Sequence, residues 1–133
     1  MAAEPEARLL TERNIWLASV RADGRPHLAP VWFVAVRDRI WIGTGARSVR
    51  VGNLATNSSV ALSFEDGDAP LVAEGTAVVH ATERPADVAA AFLDKYGWDI
   101  TLPEDPDVGV VVLLEVAVRK WLFSADLPTT PTD

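Results

Sequence analysis

Apolar residues in this chain come in short runs separated by turn residues, a rhythm of strands more than of long helices. Ile15–Val20 is a compact apolar run, and Ala22-Asp23-Gly24 follows it as a turn. An Asp-Gly pair between two apolar runs is a strong hairpin signal, because glycine accepts the positive φ of a tight turn. A second strand is predicted over 26–36, a turn at Arg37-Asp38 and a third strand over 39–43. The pattern then changes: Val49, Val51, Leu54 and Ala55 have helical spacing, with Ser48 as N-cap and an end near Asn57. Further strands are predicted over 60–64 and 71–81, with Gly75 as a bulge or close-approach point. Val88, Ala91, Phe92, Lys95 and Tyr96 predict a helix over 85–96 with Pro85 in its first turn, then a loop over 97–107 and a last strand over 108–123. Residues 5–13 read as one or two helical turns with Leu9 and Leu10 facing inward.

Six strands with short helices give an antiparallel α+β, mainly β, fold that a barrel or a sandwich would satisfy. One domain is expected over 1–127, with a mobile tail over 128–133 rich in Pro and Thr. The runs 29–36 and 108–114 are nearly continuous apolar stretches where an antiparallel sheet normally alternates. A sheet apolar on both faces needs a cover for the outer one, and a second copy of the chain supplies it. The five tryptophans point the same way, since some of them suit an interface or a ligand wall better than a core.

Composition narrows the chemistry. The chain has no cysteine, which removes disulfides, thiolate metal sites and cysteine nucleophiles. His27 and His80 are not in metal-ligand spacing, so no metal is expected. The charged start of the chain is unlike a signal peptide, and no run approaches the ~20 apolar residues of a membrane span. A cytoplasmic protein away from the membrane is expected. The net charge of -7 argues against nucleic acid as a partner. That charge is uneven: residues 1–60 hold eight arginines against five acids, whereas 61–133 hold four bases against fourteen acids. A small anion would find its cationic surroundings in the first part.

The candidate chemistry lies there too. Pro30 within a strand removes a ladder donor and marks an edge, a bulge or an opening of the sheet. Val31 and Trp32 follow it, and an opened strand leaves backbone groups free for a planar ring. The third strand runs through Trp41 into Thr44 and Gly45, and Arg47, Ser48 and Arg50 begin the next helix. Unpaired helix-start N–H groups and guanidinium forks are both phosphate ligands. The alternative is that Arg47 and Arg50 are solvated surface arginines and that the tryptophans pack the core. His27, just after the hairpin turn, reads as exposed, and His80 as structural. No catalytic residue is identified, and Gly-x-Gly-x-x-Gly, Walker and nucleophile-elbow patterns are absent.

The ordered segments 21–27 (RADGRPH), 30–33 (PVWF), 40–44 (IWIGT) and Ser48-x-Arg50-x-x-Asn53-Leu54 resemble the flavin/deazaflavin split β-barrel superfamily. That superfamily includes the pyridoxamine 5'-phosphate oxidase-like proteins, and the Pro-Val-Trp-Phe segment is most like its F420-dependent reductase branch. The resemblance implies a six-stranded antiparallel split β-barrel of Greek-key type with short flanking helices. It also implies a homodimer with cofactor sites along the subunit interface, and hydride transfer from reduced F420 to a small flat organic substrate. FMN is the alternative cofactor, and a non-catalytic cofactor-binding dimer the alternative to an enzyme. Ser48 and Arg50 would hold the cofactor phosphate, Trp32 and Trp41 would shape the ring pocket, and Trp121 would reach in from the partner. The chain departs from the resemblance at Ser48-Val49-Arg50, where Arg stands for the usual Lys without its flanking charge, and Arg47 is the nearby substitute.

Overall fold

A computed structural model describes residues 3–123. Its elements are α1 (Ala3–Thr11), β1 (Ile15–Val20), β2 (Pro26–Val36), β3 (Arg39–Gly45), α2 (Val49–Leu54), β4 (Ser59–Ser63), β5 (Leu71–His80), α3 (Ala86–Tyr96), β6 (Glu104–Asp105) and β7 (Gly109–Phe123). The expected strands all form, each within two residues of its expected bounds. Two details differ. The predicted loop over 97–107 contains β6, whose two residues pair with the start of β7. The helix after Ser48 stops at Leu54, and Ser48 flanks it without a side-chain cap. The tail over 128–133 lies outside the described residues.

The sheet order is β3-β2-β1-β4-β5-β7-β6, and an additional β3–β7 ladder closes six antiparallel strands into a barrel. Strands β1 to β3 form a meander and β4 returns beside β1, the Greek-key arrangement. The Arg37-Asp38 turn has φ of 55° and 60°, the two positive values of the hairpin turn whose twist matches its strands. Gly75 sits at a register shift between β5 and β7, and a Cβ there would overlap the Ala117 carbonyl oxygen. That is the expected bulge.

Alternation along the strands fills the barrel. Ile15, Leu17, Val31, Phe33, Ile40, Ile42, Leu62, Leu71 and Leu114 are buried inside it. A second core lies outside the wall, where α3 lays Val88 and Phe92 against Val34, Trp41, Val111 and Leu113. The expectation that the outer apolar face needs a second copy is therefore partly met within the chain, because α3 covers that stretch of β2, β3 and β7. Among the described residues, the outer face of β1 and its neighbours stays uncovered. There Trp16 pairs with Pro30, and Ala18 with Leu28 and Ala61; Leu28 is 61% exposed.

The strand β2 changes partners midway. It pairs with β1 up to Val31 and with β3 from Trp32 onward. Segment 26–31 therefore lacks a strand neighbour on the side away from β1, among the described residues. Pro30 stands at the end of this opening, where a missing ladder donor is tolerated.

Candidate functional site

Two groups of side chains lie near the opening, linked along β3 where Gly43 of the first is followed by Thr44 of the second. The first is a cavity of about 490 Å³ lined by Pro30, Val31, Trp32, Gly43, Tyr96 and Trp98, with Asp105 and Asp107 at its edge. Trp32 stacks on Tyr96 with ring centroids 4.3 Å apart, and the Arg13 guanidinium lies 4.7 Å from the Trp32 ring. Tyr96, ending α3, fixes this wall. Its hydroxyl accepts from the Phe33 N–H at 3.0 Å and donates to the Arg13 carbonyl at 2.7 Å. Burial holds the phenol's pKa above its ordinary value. Trp98 is held edge-on by its Nε1–H, which donates to Asp105 at 3.1 Å. Gly43 is needed because Trp98 ring atoms lie 2.6 Å from where its Cβ would be.

The second group is polar and lies at the same end of the barrel, under α2. Arg50 Nη1 donates to Thr44 Oγ1 at 2.8 Å, and Thr44 Oγ1 is 3.4 Å from Ser48 Oγ. Asn53 donates to Ser19 at 2.9 Å. Ser19, Thr44 and Asn53 are all buried. Two side-chain atoms are enclosed without a partner among the described residues, Arg50 Nε and His27 Nδ1. Such atoms are rare in native proteins and call for an explanation. Burial lowers the Arg50 pKa, which is the mark of a cation without a counter-ion. Arg21, Arg47 and Arg50 make no ion pair among the described residues.

The residues singled out from sequence divide accordingly. Pro30, Val31 and Trp32 line the cavity, while Thr44, Ser48 and Arg50 form one bonded cluster, with Arg47 exposed beside it. Gly45 permits a close approach, but of the chain to itself, since its Cβ would overlap the Val108 carbonyl oxygen. Trp41 lies elsewhere: it is buried beneath α3, donates to the Val36 carbonyl at 3.1 Å and stacks on His80. Trp121 stacks on Phe64 and lines a separate cavity of about 790 Å³ against α1. His80 bonds Glu115 at 2.8 Å, as its structural reading requires. His27 is not exposed as expected but half-buried, and its Nδ1 is enclosed. Sequence reasoning also missed Tyr96 and Trp98, whose only signal was two aromatics beside a helix-ending glycine.

A family profile described as pyridoxamine 5'-phosphate oxidase matches residues 1–125. The chain belongs to that family. A conserved hypothetical protein of Mycobacterium tuberculosis is similar in structure, with a TM-score of 0.75 at 25% identity, over 100% of this chain and 92% of that one. A solved F420 reductase gives 0.69 at 23% identity over 88% and 94% of the two chains. The haem storage protein HutZ of Vibrio cholerae gives 0.72 at 19% identity over 93% and 96%. No curated protein matches in sequence. At these identities the last two share the fold alone, so the choice of ligand rests on the side chains of this family member.

Those side chains fit a phosphate-bearing aromatic ligand. The cluster offers a guanidinium with an unused N–H and two hydroxyls, and no described carboxylate pairs with it. The adjacent cavity offers flat apolar walls. No described helix is long and apolar enough to cross a membrane, and no described group of three His, Asp or Glu could hold a metal.

Proposed function

We propose that this protein is an oxidoreductase that carries a phosphate-bearing tricyclic redox cofactor, F420 foremost and FMN as the alternative. The enclosed, unpaired Nε of Arg50 carries the reading: a desolvated guanidinium beside two hydroxyls waits for an oxyanion. Arg50, Thr44 and Ser48 would hold the phosphate, with Arg47 adding charge from the rim. Pro30, Val31 and Trp32 would face the ring, and Tyr96 stacked behind Trp32 keeps that wall rigid. When bound, such a cofactor supplies hydride transfer, while the protein binds, orients and excludes water. Trp41, beneath α3, supports the wall from behind. The fold shared with the F420 reductase agrees with F420, and the Pro-Val-Trp-Phe segment favours it over FMN.

The working unit in this reading is a homodimer. Trp16, Ala18, Leu28, Pro30 and Ala61 make an uncharged outward patch next to the ring wall, suited to a second copy of the same patch. A cofactor lying along that edge would be enclosed by both copies, with Trp121 contributed by the partner copy.

Tryptophan fluorescence during separate titrations with F420 and FMN tests this. Tight binding of one, weakened about tenfold or more by Arg50→Ala, supports the phosphate assignment. Binding of neither cofactor would leave the reading without a basis.

A further inference from the structure

His27 is placed by register, not by its local sequence. The β1–β2 ladder pairs Ser19 with His27, and cross-strand partners share a face of the sheet. Ser19 is 2% exposed and holds Asn53 of α2, so His27 faces the same space beneath that helix. The charged groups facing it are Arg21 from the end of β1 and Arg50 from α2. Arg25 of the neighbouring turn is engaged by Asp23 at 2.8 Å. Neither Arg21 nor Arg50 is paired with a carboxylate among the described residues.

An imidazole in this position is disfavoured from taking up a proton when the space is empty of anions. Burial first, and then the two guanidiniums, hold its pKa below the ordinary value. Its enclosed Nδ1 and the Arg50 Nε are then both left without partners, an arrangement that costs stability on its own. One tetrahedral oxyanion repairs both faults. It has oxygens enough to accept from the guanidinium and from a protonated ring nitrogen together, and its charge offsets the repulsion of the two guanidiniums.

We propose that His27 is a second ligand of the anion held by Arg50, and that it takes up a proton as the anion binds. The proposal rests on the phosphate reading given above and adds a residue and a direction to it: affinity for the phosphate group rises as pH falls. By linkage the converse holds, and a bound anion draws protonation of His27 to higher pH.

Sulfate is the direct probe, because it does not itself titrate near neutrality and any pH dependence belongs to the protein. The chain has two histidines, so proton NMR of their ring C–H signals follows both, with His80→Asn for assignment. Added sulfate should move the His27 titration to higher pH and leave His80 in place. Sulfate should bind about tenfold more tightly near pH 5.5 than near pH 8, the scale of one charge-assisted hydrogen bond. His27→Gln should keep weakened binding but lose this pH dependence. Arg50-dependent sulfate binding with a flat pH profile and an unmoved His27 would overturn the proposal while leaving the phosphate site standing. Absence of any Arg50-dependent binding would overturn both.

Discussion

Replacing Arg50 by methionine separates what this residue does for folding from what it does for binding. Methionine keeps an unbranched apolar stem and removes the charged head. The loss is the Nη1 bond to Thr44, about 1.5–3 kcal/mol for a charged donor. The gain is relief of an enclosed N–H with no partner, worth about 1–3 kcal/mol, together with the cost of burying a charge. The two sides nearly cancel. In chloride buffer free of oxyanions the variant should be as stable as the parent or more stable by about 1 kcal/mol, a difference between numbers of that size.

Phosphate changes the comparison. An anion that binds only the folded state stabilises it by about 2.7 kcal/mol at a concentration a hundred times its dissociation constant. For a domain of this length that is on the order of 10 °C in melting temperature. The parent should gain it and Arg50→Met should not, at ionic strength matched with chloride. Urea unfolding and thermal melts of both proteins, with and without phosphate, measure the four stabilities. Two results would refute the reasoning. A variant weakened by more than about 2 kcal/mol without oxyanion would make the guanidinium a structural fixture. Equal phosphate stabilisation of both proteins would place the anion elsewhere.

Other positions give sharper structural tests. Phe92→Ala, at the fully buried centre of the contact between α3 and the barrel, should cost about 3–5 kcal/mol by urea unfolding. Gly45→Ala should cost about 1–3 kcal/mol, because a Cβ there would overlap the backbone carbonyl of Val108, in the turn that leads into β7. Lys95 should make stability rise with pH. Burial, then Arg13, lowers its pKa to about 8 from 10.5, although the Phe33 carbonyl at 3.1 Å and the Phe33 ring favour the ammonium. A lysine whose folded pKa is the lower one favours folding in its neutral form, so stability increases from about pH 8 to 10.5. Lys95→Met should flatten that rise in pH-dependent melts. Above about pH 10 the opposite sign of Tyr96 takes over, since its raised pKa favours ionisation in the unfolded chain.

The barrel was readable because its signals are local. Asp23-Gly24, Arg37-Asp38 and the alternation of Ile15, Leu17 and Ser19 each act within a few residues, and the strands follow them closely. The cover of the outer face was not readable. That Val34 and Trp41 meet Val88 and Phe92 depends on how α3 folds back across some fifty residues, which no local pattern encodes. The strand pattern accordingly groups Trp41 with Trp32, while Tyr96 and Trp98 line the cavity beside Trp32 instead. β6 escaped notice for a different reason: two residues are too few to show a period.

His27 shows why site residues are harder to read than strands. By sequence it is a polar residue just beyond an exposed turn, and such residues normally face water. Moving the β1–β2 register by one position would put it outside, but would turn buried Val31 outward with it. The register is fixed by the apolar set, with Leu17 opposite Ala29 and Ile15 opposite Val31, and His27 is carried inward with them. Packing thus imposes on this end of the barrel a polar group that packing alone does not satisfy. The same holds for Arg50, carried by α2, whose Val51 and Leu54 pack against the barrel core. Two unmet groups of this kind in one cluster are difficult to account for by folding, since each lowers stability. In the proposed reading a ligand satisfies both, and the strain of the free protein and the affinity of the bound one then lie in the same pair of side chains.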